Sequence, residues 1–199
     1  MYHLVKGIYS NLTRKEEYSV LVLGLDNAGK TTFLEKLKSE YSDSKKSLPP
    51  ERIAPTVGQN VGYITFEKTH LRLWDLGGQE NLRTLWESYY NDAHGIVFVV
   101  DSSDRKRLEE CKRALEIIIT NEDVEGLPIL MLANKQDRED RLEVEDIKEI
   151  FNKIAERMSA RDSRVLPISA LSGDGLKDAV EWLTTRLVRN KQNRPPTLK

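Results

Sequence analysis

A chain of 199 residues, 39% hydrophobic and 32% charged, is sized for one globular domain, and its apolar runs fall far short of the about 20 residues that span a bilayer. A formal net charge of −1 excludes a general pull toward nucleic acid or an anionic surface. The single cysteine, Cys111, excludes an intrachain disulfide and suits a reducing compartment, and its place in Leu108-x-x-Cys111-x-x-x-Leu115 makes it a core residue of a helix.

Residues 1–15 are predicted to form an amphipathic helix. Tyr2, Leu4, Val5, Ile8, Tyr9 and Leu12 share one face, and His3, Lys6, Ser10 and Asn11 are polar. Two readings stay open: a helix packed permanently on the domain, and a switchable one that leaves it for a membrane or a receptor. With no long apolar core and no small-residue cleavage site, the segment is not expected to be a secretory signal. The domain proper is predicted over residues 16–190.

A strand over residues 18–23 runs into Gly24-Leu25-Asp26-Asn27-Ala28-Gly29-Lys30-Thr31, and a helix follows over 31–41. The loop has the pattern G-x-x-x-x-G-K-[ST]. Between a strand and a helix, such a loop turns successive backbone N–H groups toward one point and cradles phosphate oxygens, aided by the positive end of the helix. Gly24 and Gly29 sit where a side chain would obstruct the phosphate or the turn. Lys30 reaches the β- and γ-phosphates, and the Thr31 hydroxyl is a Mg²⁺ ligand. Residues 42–55, with three prolines and several serines, are expected to be a mobile loop. Thr56, in Pro55-Thr56-Val57-Gly58, is placed as a second Mg²⁺ hydroxyl ligand that engages only with the γ-phosphate present.

A hairpin is predicted over 61–66 and 70–74, turning near 67–69. It ends in Trp74-Asp75-Leu76-Gly77-Gly78-Gln79. Asp75, at a strand end, is a Mg²⁺ residue acting directly or through water, Gly78 brings a backbone N–H onto the γ-phosphate, and Gln79 orients the attacking water. Further apolar runs at 96–100 and 129–132 read as buried parallel strands, followed by helices over 105–120, capped by Ser102 or Ser103, and 144–158. After the second run comes Asn134-Lys135-Gln136-Asp137. The Asp137 carboxylate is suited to accept from guanine N1–H and the 2-amino group. Adenine lacks both donors and would leave that carboxylate buried and unpaired. Asn134 is expected to bond the base, and the Lys135 stem to cover its ring face. A last strand over 165–168 leads to Ser169-Ala170-Leu171, where the Ala170 N–H is placed to meet guanine O6. A helix over 176–188 and a polar, flexible tail over 191–199 close the chain.

The alternation of strands and helices predicts an open α/β sheet with helices on both faces and ligands beyond the strands' carboxyl ends. Two rival classes are weighed against a GTPase. A P-loop kinase is opposed by Asn134-Lys135-Gln136-Asp137, and a module that merely holds GTP is opposed by Gln79. The three histidines lack metal-ligand spacing. Arg52, four residues before Thr56, is the one arginine near where some GTPases keep a built-in catalytic arginine. Arg186, Arg189, Lys191 and Arg194 make a basic end, read as a solvated surface rather than a lipid patch.

GLDNAGKT, PTVG, WDLGGQ, NKQD and SAL, in this order, resemble the Arf/Arl family of small GTPases over about residues 4–190, and within it the members that act at the Golgi. The resemblance implies the P-loop small GTPase fold, a mainly parallel six-stranded sheet with one antiparallel edge strand and helices on both faces. It implies GTP/GDP and Mg²⁺ as cofactors. Asp26, Asn27, Ala28, Gly29, Lys30, Thr31 and Thr32 would surround the phosphates, Thr56 and Gly78 would meet the γ-phosphate, and Asn134, Lys135, Asp137 and Ala170 the base. Trp74 and Tyr89 match two effector-facing aromatics, while the third such position is Gln59 here, and the segment before Thr56 is several residues longer than in typical Arfs. The implied partners are an exchange factor, a GTPase-activating protein, trafficking effectors and an integral Golgi membrane receptor for an acetylated amino terminus. No nucleic acid is implied, and a monomer is expected. Tyr2 closes myristoylation, and the absence of a carboxyl-terminal cysteine closes prenylation. The implied location is the cytosol and the cytoplasmic face of the trans-Golgi. Family behaviour further implies that the hairpin shifts register on GTP binding and displaces the amino-terminal helix.

Overall fold

β1 (Glu16–Leu23) is buried from Glu17 through Leu23, an unbroken run that an edge strand or a half-solvated one would not show. The burial follows from its place. In this computed structural model, which describes residues 15–42, 47–155 and 162–199, β1 lies between β3 (Thr69–Leu76) and β4 (Gly95–Asp101) and runs parallel to both. β5 (Ile129–Asn134) and β6 (Ser163–Pro167) extend the sheet beyond β4 in parallel, and β2 (Gln59–Phe66) closes the other edge antiparallel to β3. The expected mainly parallel sheet with one antiparallel edge strand is therefore present. The hairpin turns at residues 67–68, with Glu67 at φ 53°.

Successive side chains of each central strand enter opposite cores. Leu21, Leu23, Ile96, Phe98 and Met131 pack with α2 (Leu108–Thr120) and α3 (Val144–Ala155). Val20, Val22, Val97, Val99, Leu130 and Leu132 pack against α1 (Lys30–Tyr41) and α4 (Leu176–Arg189). Cys111 is part of the first core, where burial pushes its thiol up to about 12. Among the described residues no helix is long and apolar enough to cross a membrane.

Several boundaries differ from the sequence reading. α2 begins at Leu108 behind a 3₁₀ turn, Arg105–Arg107, and its N-cap, Arg107, makes no side-chain capping bond. Ser103 instead donates both its N–H and its hydroxyl to Asp101 Oδ1, so the predicted serine cap is not formed. α3 is described to Ala155, and the rest of its predicted span lies outside the described residues. Glu80–Tyr89 forms 3₁₀ turns that no periodicity announced. Except for Lys15, the predicted amino-terminal helix lies outside the described residues.

The tail differs most. Instead of a structureless end, it carries β7 (Thr197–Leu198), which pairs antiparallel with Glu16 and Glu17 as a seventh strand. β4 reaches β1 only from Val20 onward, so the first residues of β1 leave a backbone edge that β7 takes. Lys15 and Lys199 exchange backbone bonds of 3.0 and 3.1 Å. Lys199 pairs with Glu17 at 2.7 Å, and Lys191 pairs with Glu16. His94 adds a pin: Nδ1 accepts from Ser19 N–H at 3.0 Å, and Nε2 donates to Pro195 O at 2.9 Å. A polar composition suggested disorder, but backbone pairing and Lys–Glu complementarity need no apolar side chains.

Candidate nucleotide-binding site

The phosphate loop leaves β1 at Leu23 and enters α1 at Lys30, with Gly29 as the N-cap at φ 94°. The helix N–H groups that lack intrahelical partners therefore open toward the strand ends. A cavity of about 440 Å³ lies there. It is lined by the loop (Asp26, Asn27, Gly29, Lys30, Thr31, Thr32), by Pro50, Ile53, Ala54, Pro55 and Thr56 of the preceding long segment, and by Gly78 and Gln79. Gly24 begins the loop at φ 137°. Three segments far apart in the chain thus form one polar recess of the kind predicted for phosphates.

Lys30 is buried, and its Nζ donates to Leu25 O at 2.8 Å. Burial, opposed by the Asp75 and Asp26 carboxylates, brings its ammonium down to about 8. A polyphosphate beside it would favour the charged form again.

Asp75 is 0% exposed. Its Oδ2 accepts from Thr31 Oγ1 at 2.7 Å and from Thr56 Oγ1 at 3.1 Å, and the two hydroxyls lie 2.8 Å apart. Its Oδ1 is buried without a hydrogen-bond partner among the described residues. Burial raises the Asp75 pKa, and the Thr31 hydrogen bond and Lys30 oppose that shift. An orphaned carboxylate oxygen beside two converging hydroxyls is a hard-oxygen set that fits Mg²⁺ completed by phosphate oxygens and waters.

The Gly77-Gly78-Gln79 turn is clamped from several sides. Gly77 N–H donates to Gly58 O at 2.9 Å, the Trp86 indole N–H to Gly77 O at 3.0 Å, and Arg83 Nε to Gly78 O at 2.9 Å. A Cβ on Gly78 would overlap the backbone of Gly24, Leu25 and Asp26. Only glycine permits that approach to the phosphate loop. Gln79 borders the cavity with an exposed side chain. Arg52 is exposed and is not among the residues that line the cavity.

At the base end, Asn134 is 2% exposed and its amide is engaged within the protein. Nδ2 donates to Ala28 O at 2.8 Å, and Oδ1 accepts from Ala170 N–H at 2.9 Å. The sequence reading expects Asn134 and the Ala170 N–H to meet the base. Here they tie the phosphate loop, β5 and the loop after β6 together. Ser169 donates to Asp137 Oδ1 at 2.5 Å, and the Asp137 side chain lies at the surface. Lys135 stands at φ 67°, with its Nζ 2.6 Å from Asp101 Oδ2, so its stem is held by that pair beside the loop.

Gln59, Trp74 and Tyr89 come together on the edge formed by β2 and β3. Trp74 and Tyr89 have ring centroids 5.3 Å apart, the Tyr89 hydroxyl donates to Gln59 Oε1, and the Arg72 guanidinium lies 4.0 Å from the Trp74 ring centroid.

Sequence reasoning missed three contacts. Glu35, 2% exposed, accepts from Leu48 N–H at 2.6 Å and pins the long segment expected to be mobile. Arg83 and Glu110 pair at 2.5 Å beside the cavity. The spacing of Arg107 and Glu110 signals a local pair, but nothing local reveals that Arg107 also reaches Asp26 at 2.7 Å.

The model of the ADP-ribosylation factor family matches residues 5–187. The chain is 64% identical over its whole length, and the whole of the relative, to ADP-ribosylation factor-like protein 3 of Saccharomyces cerevisiae. It is 46% identical to ADP-ribosylation factor-related protein 1 of Bos taurus, covering 98% of this chain and 97% of that one. Among solved structures it is similar to the Arl6 small GTPase of Trypanosoma brucei bound to the nucleotide analogue GppNp. That match has a TM-score of 0.75 and 30% identity, and covers 87% of this chain and 98% of the other.

Proposed function

The chain belongs to the ADP-ribosylation factor family and is a GTPase using GTP/GDP and Mg²⁺, and we propose that it regulates vesicle trafficking by recruiting effectors to the cytoplasmic face of the Golgi. The observation that supports a switch is the convergence of Thr31, Thr56 and Asp75. Thr56 comes from the long loop and Asp75 from β3, so a γ-phosphate and Mg²⁺ held at this point would order both segments, and hydrolysis would release them.

In this reading, backbone N–H groups of the loop and Lys30 hold the phosphates. Thr31, Thr56 and Asp75 would hold Mg²⁺, which when bound offsets charge on the phosphate oxygens. Gly78 N–H meets the γ-phosphate, and Gln79 positions the water for in-line attack. Asp137, exposed beside Ser169, selects guanine, while Asn134 and Ala170 brace the rim of the base pocket. With the described arginines engaged elsewhere or outside the cavity, intrinsic turnover is slow, and an activating partner supplies an acceleration of roughly 10³ to 10⁵.

Gln59, Trp74 and Tyr89 form the face offered to effectors. An exchange factor reloads GTP. The amino-terminal segment gives peripheral membrane residence through a receptor that reads its acetylated end, and likeness to the Arf-related proteins supports the Golgi assignment. The test is imaging of the tagged full-length chain. Gln79→Leu should concentrate on trans-Golgi membranes and Thr31→Asn should be cytosolic; Golgi residence indifferent to both substitutions would defeat the proposal.

A further inference from the structure

We propose that Arg83 is a positioning residue for GTP hydrolysis, holding the Gly78–Gln79 peptide on the phosphate loop through a closed relay with Glu110, Arg107 and Asp26. The relay rests on the GTPase activity but goes beyond the phosphate, metal and water roles assigned above.

Arg83 lies in the 3₁₀ segment and uses two arms at once. Nε donates to Gly78 O at 2.9 Å, and one terminal nitrogen donates to Glu110 Oε1 at 2.5 Å. Glu110, on α2, accepts with its other oxygen from Arg107 Nε at 2.8 Å. Arg107 in turn donates to Asp26 Oδ1 at 2.7 Å. Asp26 belongs to the phosphate loop, and its backbone is one of the groups that Gly78 packs against. The chain of contacts therefore closes on itself: Gly78, Arg83, Glu110, Arg107, Asp26 and back to Gly78. Charges alternate around it, and the Arg83 side chain is only 16% exposed.

A trans peptide is planar, with its C=O and N–H pointing opposite ways. Fixing Gly78 O therefore fixes the N–H of Gln79 and the direction in which the Gln79 side chain leaves the backbone. Trp86 does the same one peptide earlier, where holding Gly77 O aims Gly78 N–H. If the turn withdraws from the phosphate loop, Arg83 must release either the carbonyl or Glu110. The relay thus favours the arrangement in which Gly78 lies on the loop, the one suited to a γ-phosphate. Only a guanidinium makes both bonds in one plane; a lysine ammonium on a flexible stem does not.

The experiment is release of fluorescent GDP and of a fluorescent non-hydrolysable GTP analogue from full-length protein, with single-turnover hydrolysis alongside. Arg83→Lys should release the GTP analogue about tenfold faster and hydrolyse GTP about tenfold more slowly, while GDP release changes less than about twofold. Equal acceleration for both nucleotides, the mark of a merely structural residue, would overturn the proposal, as would no change. The exchange Arg83→Glu with Glu110→Arg recreates an opposite-charge pair between positions 83 and 110, but it sets a like charge against Arg107 and leaves no donor for Gly78 O. It should not restore the GTP-selective behaviour; restoration would show that charge alone matters and would overturn the positioning role.

Discussion

Asn134 and Ala28 are 106 residues apart in the chain, yet the Asn134 side-chain amide donates to the Ala28 carbonyl at 2.8 Å. The bond crosses the cleft between the phosphate loop and the base loop. It exists because Gly29 has no Cβ: an atom there would overlap Asn134 Nδ2. A glycine that the loop motif explains by phosphate access is also the opening through which the base loop braces the phosphate loop.

Gly29→Ala and Asn134→Ala should therefore fail in the same way. Both leave the buried Ala28 carbonyl without its donor, a loss of about 1–3 kcal/mol, and Gly29→Ala adds strain at φ 94°. Affinities for GDP and for GTP analogues should fall together by about 10- to 100-fold. Calorimetric titration of nucleotide-free protein checks this, and selective loss of GTP alone would contradict it.

Gly78→Ala should separate the two nucleotide states instead. Its methyl group meets the backbone of Gly24, Leu25 and Asp26 only when the turn lies on the phosphate loop. GDP binding is expected to persist while the GTP-specific change is lost. Protection of residues 75–90 in hydrogen exchange should then be the same with GDP and with a GTP analogue, whereas the parent protein should show the difference.

Hydrogen bonds from Arg107 and Arg83 lower the Glu110 pKa from 4.5 to about 2. A carboxylate depressed on folding contributes stability that is present above its unfolded value and lost as pH falls through its folded value. The window here runs from about pH 5 down to about pH 2. Glu110→Gln should melt below the parent protein at pH 6, and the gap should narrow as pH is lowered toward 3. A gap independent of pH in thermal denaturation would refute the charge-based origin.

Removal of residues 195–199 deletes β7, the Lys199–Glu17 pair and the acceptor of His94. With a net contribution near 1 kcal/mol for each lost hydrogen bond that water does not replace, destabilisation of about 1–3 kcal/mol is expected, with nucleotide affinity unchanged because the strap lies away from the cavity. Chemical denaturation and nucleotide titration of the truncated chain measure the two effects independently. A truncated chain as stable as the parent would show that the strap is dispensable.

The sequence determined what depends on contiguous residues. Gly24 through Thr31 carry the phosphate loop because backbone geometry over eight residues is a local property, and β1, β4 and β5 were legible as buried strands because continuous burial leaves continuous apolar runs. The Asp75, Gln79 and Asp137 motifs stood in recognisable order for the same reason. Tertiary structure alone decided how those pieces hold one another. The commitment of Asn134 to Ala28 and Ala170, the pinning of Leu48 by Glu35, the reach of Arg83 to Glu110 and of Arg107 to Asp26, and the carboxyl-terminal strap on β1 all join residues distant in sequence. A hydrogen bond is fixed by distance and direction in space, and a polar side chain in a sequence carries no record of which remote carbonyl or carboxylate the fold will bring to it.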